Sequence, residues 1–215
     1  MIQLTQSGLK ISDASEVARL RQEFSENHCI VLPALLEGRI IDKILDQLDK
    51  TDFFENMHKD SKEEVFATDL TVTGKSAALH HITFVLNNPA LFKLVEEITQ
   101  CTGIKSFAGR VYRNLPDTGH RLDWHDDTED SSRIVAMSMS LNRQPFSGGV
   151  FQLRDKKTKK IFSEVFAGRP GDTHVFRVSP MLEHCVTPTV GAYSRTAAAG
   201  WFTSLAPAGL PFLKS

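Results

Sequence analysis

The stretch "HCVTPTVGAYSRTAAAGWF", residues 184–202, reads as two strands joined by a turn that contains Gly191. Along the second strand a period of two puts Arg195, Ala197, Ala199 and Trp201 on one face. If that face looks inward, the two alanines leave room beside the arginine. The same texture extends outward from this stretch. "KSFAGRVYRNL", "SRIVAMSMSLN", "GGVFQLRD", "KIFSEVF" and "THVFRV" precede it, and "PDTG", "FSGG" and "GRPGD" mark turns between most of them. Short strands at this spacing from about residue 105 predict an all-β barrel or a double-sheet jelly roll.

The first half reads differently. "SDASEVARLRQEF" offers Asp13 and Glu16 as a capping box, with Val17, Leu20 and Phe24 on one helical face. "HCIVLPALL" predicts a short strand ending at Pro33. "LEGRIIDKILDQLDK" repeats apolar residues at 36, 40, 41, 44, 45 and 48, a helical stripe. "NPALFKLVEEITQCTG" has Asn88 as a cap, Pro89 in the first turn and Gly103 as a stop. Residues 51–85 predict irregular structure with short strands near a substrate entrance. His80 and His81 would face opposite ways in such a strand, and a non-catalytic role is expected of both. The fold class expected is mainly β with flanking helices. A single domain over 1–215 would have a mostly helical support region, 1–104, and a catalytic jelly-roll core, 105–204.

Composition narrows the function. Hydrophobic residues at 41% and charged residues at 24% fit a soluble globular chain. A net charge of -1 leaves no broad basic field for nucleic acid. The basic run "RDKKTKK", residues 154–160, is read as a solvated turn. Cys29, Cys101 and Cys185 are odd in number and form no CxxC pair, which points to reduced thiols and a cytoplasmic location. "MIQLTQSGLK" lacks a signal-peptide pattern, and no apolar run is long enough to cross a bilayer, so no membrane partner is expected.

The chemistry lies in "LDWHDDTED", residues 122–130. His125 and Asp127 form an H-x-D pair. In an extended segment residues i and i+2 share a side, so imidazole and carboxylate could converge on one ion with Asp126 turned away. Alone, such a pair also arises by chance in loops, and Asp126 could compete. His184 adds a second imidazole. Two histidines and a carboxylate make a facial triad with open positions, suited to non-haem Fe(II). A structural zinc site would more often close its fourth position with Cys or His. Cys185 should point away from His184 in a strand. Arg195, if buried, needs an anion, because an unpaired buried charge is costly. Its fork binds carboxylates through two parallel hydrogen bonds, and the partner could be an internal Asp or Glu or a dicarboxylate ligand.

Together, "WHDD", "GG" at 148–149, "PGD" at 170–172, "HCVTP" and "GAYSRTAAAGWF" resemble the Fe(II)- and 2-oxoglutarate-dependent dioxygenases, particularly the prolyl 4-hydroxylase-like branch. The resemblance covers about residues 105–204. It implies a double-stranded β-helix buttressed by the N-terminal helices. It implies His125, Asp127 and His184 as iron ligands and Arg195 as the anchor of the distal carboxylate of 2-oxoglutarate. Tyr112 resembles a tyrosine that contacts the cosubstrate. Ser140 stands where related hydroxylases often carry a tyrosine that bonds the distal carboxylate. The family does not use the position of His174 as a ligand, so a structural or surface role is expected there. Trp124 and Trp201 are expected to pack near the pocket.

The implied reaction uses Fe(II), 2-oxoglutarate and O2, releases succinate and CO2, and hydroxylates an unactivated C–H bond of a small molecule or amino acid. Halogenating relatives lack the carboxylate, so Asp127 favours hydroxylation. The alternatives are a hydroxylase of protein or peptide side chains and a cupin-like isomerase or non-enzymatic metal-binding module. Primary substrate, regiochemistry, desaturation or ring closure, and oligomeric state are not readable from these residues.

Overall fold

The computed structural model describes residues 1–59 and 62–206. Strands β1 (Ile2–Thr5) and β2 (Gly8–Ile11) form a hairpin. Helix α1 (Ala14–Asn27) leads into β3 (Cys29–Leu32) and α2 (Gly38–Leu48). Next come β4 (Phe54–Lys59), β5 (Val65–Thr71), α3 (Ala77–Leu86) and α4 (Pro89–Thr99). The remaining regular structure is strand: β6 (Ser106–Asn114), β7 (Arg121–His125), β8 (Arg133–Ser140), β9 (Ser147–Gly148), β10 (Phe151–Asp155), β11 (Ile161–Val165), β12 (Thr173–Arg177), β13 (Leu182–Val186), β14 (Thr189–Val190) and β15 (Arg195–Thr203).

Eleven strands make one sheet in the order β11-β10-β13-β7-β5-β6-β15-β8-β12-β3, with β4 paired to β5. The sheet is rolled. Phe151 on β10 and His174 on β12 are seven strands apart in that order, yet their ring centroids lie 4.4 Å apart. This is the jelly-roll core expected from the strand pattern. Alternation sorts the side chains of β8: Val135, Met137 and Met139 enter the large core under the helices, while Ala136 joins Phe151, Leu153 and Phe176 in the smaller inner cluster. The helices cover the outer face through Leu20, Phe24, Ile44, Ile82 and Leu91, all essentially buried. Each such side chain contributes about 1.5–3 kcal/mol by leaving water.

Several local expectations change. Residues 77–86 form a helix, not irregular structure. The Ser76 hydroxyl accepts from the Leu79 amide at 3.4 Å, and Ala78, Ile82 and Leu86 form a buried stripe. His80 and His81 therefore sit on a helix, where His81 Nδ1 lies 3.2 Å from Gln47 Oε1. The short strands expected before Pro33 and within 51–85 do form, as β3, β4 and β5, and all three join the main sheet. At α1, Asp13 caps Ser15 N at 2.8 Å, but Glu16 pairs with the Met1 ammonium instead of completing a capping box. Helix α4 stops before Gly103, because Gln100 takes the left-handed conformation at φ 57. No helix among the described residues is long and apolar enough to cross a membrane.

Candidate metal centre and cavity

Strands β7 and β13 are paired, and their register sets His125 directly opposite His184 with ring centroids 4.1 Å apart. His125 Nδ1 lies 2.8 Å from the Asp123 carbonyl. A carbonyl only accepts, so Nδ1 carries the proton and Nε2 keeps its lone pair. The expected extended path from His125 to Asp127 is not what delivers the carboxylate. β7 ends at His125, and Asp127 adopts a left-handed φ of 61. That turn folds the carboxylate back between the rings. Oδ1 stands 3.4 Å from His125 Nε2, and Oδ2 stands 3.5 Å from His184 Nε2. The Trp201 indole donates to Oδ2 at 2.9 Å, and Arg133 Nη1 donates to the Asp127 carbonyl at 3.1 Å. Arg133 also lies over the Trp201 ring, 3.8 Å from its centroid.

The competing acid is occupied elsewhere. Asp126 accepts from Thr128 Oγ1 at 2.6 Å and from Lys156 Nζ at 2.5 Å. The "RDKKTKK" turn is thus less free than a solvated loop. Lys156 holds Asp126, while Arg154 and Lys159 each reach Glu183 at 2.7 Å. These contacts fix the neighbours of Asp127 and His184 from outside. Cys185 faces away from the centre, its thiol 3.6 Å from Gln152 Oε1.

One ligand atom from each of His125, Asp127 and His184 lies within 4.8 Å of the others. Burial opposes ionisation of Asp127, but its contacts with His125 and His184 and the Trp201 N–H hold its carboxyl well below the usual range. Burial, aided by His125, pushes the His184 imidazole down to about 3. His184 is therefore neutral at physiological pH, the form that binds metal. Two imidazoles and one carboxylate without a thiol are the donor set of a facial triad and fit Fe(II).

The centre opens into a cavity of about 110 Å³, continuous with solvent and walled by side chains from both halves of the rolled sheet. Arg195 lines it at 5% exposure. Among the described residues it makes no ion pair with an internal Asp or Glu, and its Nη1 donates to Tyr112 Oη at 2.6 Å. Gly149, at φ +61, makes space for this side chain, since an added Cβ would stand 2.5 Å from Arg195 Cδ. Ala199 and Trp201 line the cavity, as the period of β15 predicts. Ser138 faces it, whereas Ser140, one step along the same face, accepts from Asn142 Nδ2 at 2.9 Å and lies outside the lining. Trp124 lies under Arg154, 3.5 Å from its ring centroid. His174, expected to be structural or surface, stands in the cavity wall at 2% exposure.

Sequence reasoning missed a polar cluster in the same wall. Arg110 binds Asp69 through two contacts of 2.8 and 2.7 Å, and His58 Nε2 lies 3.7 Å from Asp69. A signal was available for Arg110, which shares a strand face with Tyr112. None linked it to Asp69 or His58.

Residues 109–203 match the family model of the 2OG-Fe(II) oxygenase superfamily. This segment, which carries the donor cluster and Arg195, is similar to that superfamily, whose reactions use Fe(II), 2-oxoglutarate and O2. No curated protein sequence matches the chain. Solved structures do. A 2OG-Fe(II) oxygenase family oxidoreductase from Burkholderia pseudomallei shares 16% identity at a TM-score of 0.67, over 96% of this chain and 97% of that one. A prolyl-4-hydroxylase from Pseudomonas putida shares 16% identity at 0.61, over 88% and 99%. The non-heme alpha ketoglutarate dependent epimerase SnoN from nogalamycin biosynthesis shares 12% identity at 0.66, over 93% and 89%. At these identities the likeness is one of fold.

Proposed function

We propose that the protein hydroxylates an unactivated C–H bond of a small molecule or amino acid, with His125, Asp127 and His184 holding the iron and Arg195 anchoring 2-oxoglutarate. The observation that carries this reading is the pairing of features in one cavity. A three-donor cluster lies on one wall, and on another lies a buried guanidinium with no anionic partner among the described residues. When bound, Fe(II) and 2-oxoglutarate supply the O2 chemistry that yields succinate and CO2 and places one oxygen atom in the substrate.

The protein's own contribution is geometric and electrostatic. Asp127 is held ionised between two imidazoles, with the Trp201 indole fixing one oxygen. Asp123 sets the His125 tautomer. Arg195 offers a fixed fork to a carboxylate, and Tyr112 steadies that fork from β6. Ser140 lies beyond the cavity wall and would act on the distal carboxylate only through its neighbours. Apolar side chains such as Phe151, Phe176 and Val186 exclude water around the donors. The free thiols of Cys29, Cys101 and Cys185 suit a reducing cytoplasm.

The largely apolar wall around the donors, with Phe151, Phe176 and Val186, suits a small molecule. A peptide substrate is the second reading. It is favoured by Phe54 and Met57, which are exposed at 52% and 59% on the strand that brings His58 to the cavity.

Anaerobic addition of Fe(II) and 2-oxoglutarate should give a weak visible charge-transfer band that His184→Ala abolishes. Arg195→Ala should weaken 2-oxoglutarate at least about 30-fold, as loss of a buried charge pair does, while iron affinity holds. Equal loss of both ligands would remove Arg195 from its assigned role. Succinate release over amino acids, peptides and metabolite extracts, with mass spectrometry for one added oxygen, identifies the substrate class. Absence of 2-oxoglutarate binding would favour an isomerase or a binding module.

A further inference from the structure

His174 is a buried polar side chain that the functional reading above leaves without a task. Its Nδ1 is enclosed by protein and has no hydrogen-bond partner among the described residues. A buried lone pair is less costly to leave unpaired than a buried N–H, so the ring proton belongs on Nε2. The sheet register shows what Nε2 can meet. His174 on β12 pairs with Ser138 on β8, which pairs with Ala199 on β15. On that side of the sheet the row of residues is therefore small and lines the same cavity as the imidazole, while Val31 on β3 pairs with His174 on the other side. Phe151 and Phe176 pack against the ring at centroid distances of 4.4 and 5.9 Å, holding it in place without offering an acceptor. Burial, with the charges of Arg195 and His184 adding to it, pushes this imidazole down to about 3, so it is a neutral donor at physiological pH.

A neutral N–H beside an unpaired guanidinium calls for an anionic acceptor, and a cation would be repelled by Arg195. We propose that His174 donates a hydrogen bond from Nε2 to the carboxylate that Arg195 engages, which makes it a third cosubstrate-binding group beside Arg195 and Tyr112. This rests on reading the cavity as a 2-oxoglutarate site. The bond adds specificity without charge, because it fixes the rotation of a carboxylate that Arg195 already neutralises.

The test uses protein loaded with Zn(II), a diamagnetic substitute that supports both calorimetry and NMR. Titration with 2-oxoglutarate should shift the His174 Nε2 resonance and slow exchange of its proton, with the assignment made by loss of the signal in His174→Phe. His174→Phe keeps the ring's bulk and should weaken 2-oxoglutarate about tenfold with metal affinity unchanged, the loss expected of one hydrogen bond to a charged group. His174→Gln carries an N–H to a similar reach and should restore most of that affinity. If wild type binds 2-oxoglutarate while the His174 resonance stays still, or if His174→Phe binds it equally well, His174 has no such role and the cosubstrate reading stands. If wild type fails to bind 2-oxoglutarate, both fall together. Should His174→Phe unfold, loss of the signal in His174→Gln makes the assignment and the wild-type NMR titration decides.

Discussion

Asp127 shows how much a single residue depends on its surroundings. The H-x-D spacing names it as a ligand, but the spacing works through a left-handed turn and not through an extended strand. The carboxylate is then fixed by an indole from far along the chain, the Trp201 Nε1 contact at 2.9 Å. Trp201→Phe keeps the packing beneath Arg133 and removes that donor. Affinity for Co(II) or Mn(II) should fall about tenfold, as it does when a ligand loses its supporting hydrogen bond. Calorimetry would check it, and an unchanged affinity would mean that the turn alone orients Asp127. That His125, Asp127 and His184 would gather, with Arg195 facing the same cavity, was legible because donor chemistry belongs to residue type. The supporting role of Trp201 was not, because an indole reads the same in sequence whether it packs or donates.

At the scale of elements, β15 carries both ends of the site. Arg195 begins it and Trp201 stands six positions on, so its pairing with β6 and β8 sets the distance between the buried guanidinium and the donor cluster. Gly200 and Gly109 face each other in that pairing. A Cβ on Gly200 would lie 2.2 Å from the Ala108 carbonyl oxygen and 2.4 Å from Gly109 Cα. Gly200→Ala should therefore cost about 1–3 kcal/mol, the usual penalty of overpacking, seen as a lower urea midpoint. Wild-type stability in that variant would show that β6 and β15 can part without loss.

The strands of this half were legible because alternation and turn residues are local signals. α3 was not. His80, His81, Thr83, Phe84 and Val85 are weak helix formers, and the helix is set by the Ser76 cap and by packing. It ends where the Asn87 side chain joins β6, donating to the Phe107 carbonyl and accepting from the Phe107 amide, both at 2.9 Å. That pairing spans twenty residues, and no local pattern announces it.

Over the whole molecule, rolling the sheet buries polar groups that a flat sheet would leave in water. His174 is one, and it makes stability depend on pH. Its ordinary value of 6.5 applies in the unfolded chain, while in the fold burial lowers it to about 3. Between those values the unfolded chain binds the extra proton. The contribution to stability is complete above about pH 6.5 and declines as pH falls toward 3, by at most about 1.4 kcal/mol per pH unit. Urea midpoints of the metal-free protein should drop from pH 7 to pH 5, and His174→Phe should flatten that slope. The same slope in the variant would assign the effect to other groups.

Sequence by itself determined the strand-rich second half, the helical stripes of the first, the order of the donor residues and the superfamily they indicate. Those properties are carried by residue chemistry and by periods of two or 3.6, which act between near neighbours. Tertiary structure alone decided that Asp127 turns back between two histidines, that Arg195 has no internal anion among the described residues, and that His174 stands in the cavity wall. Each of these follows from the rolling of the sheet. Closure brings β10 against β12 across seven strands, and side chains that meet only there leave no trace in the spacing of the chain.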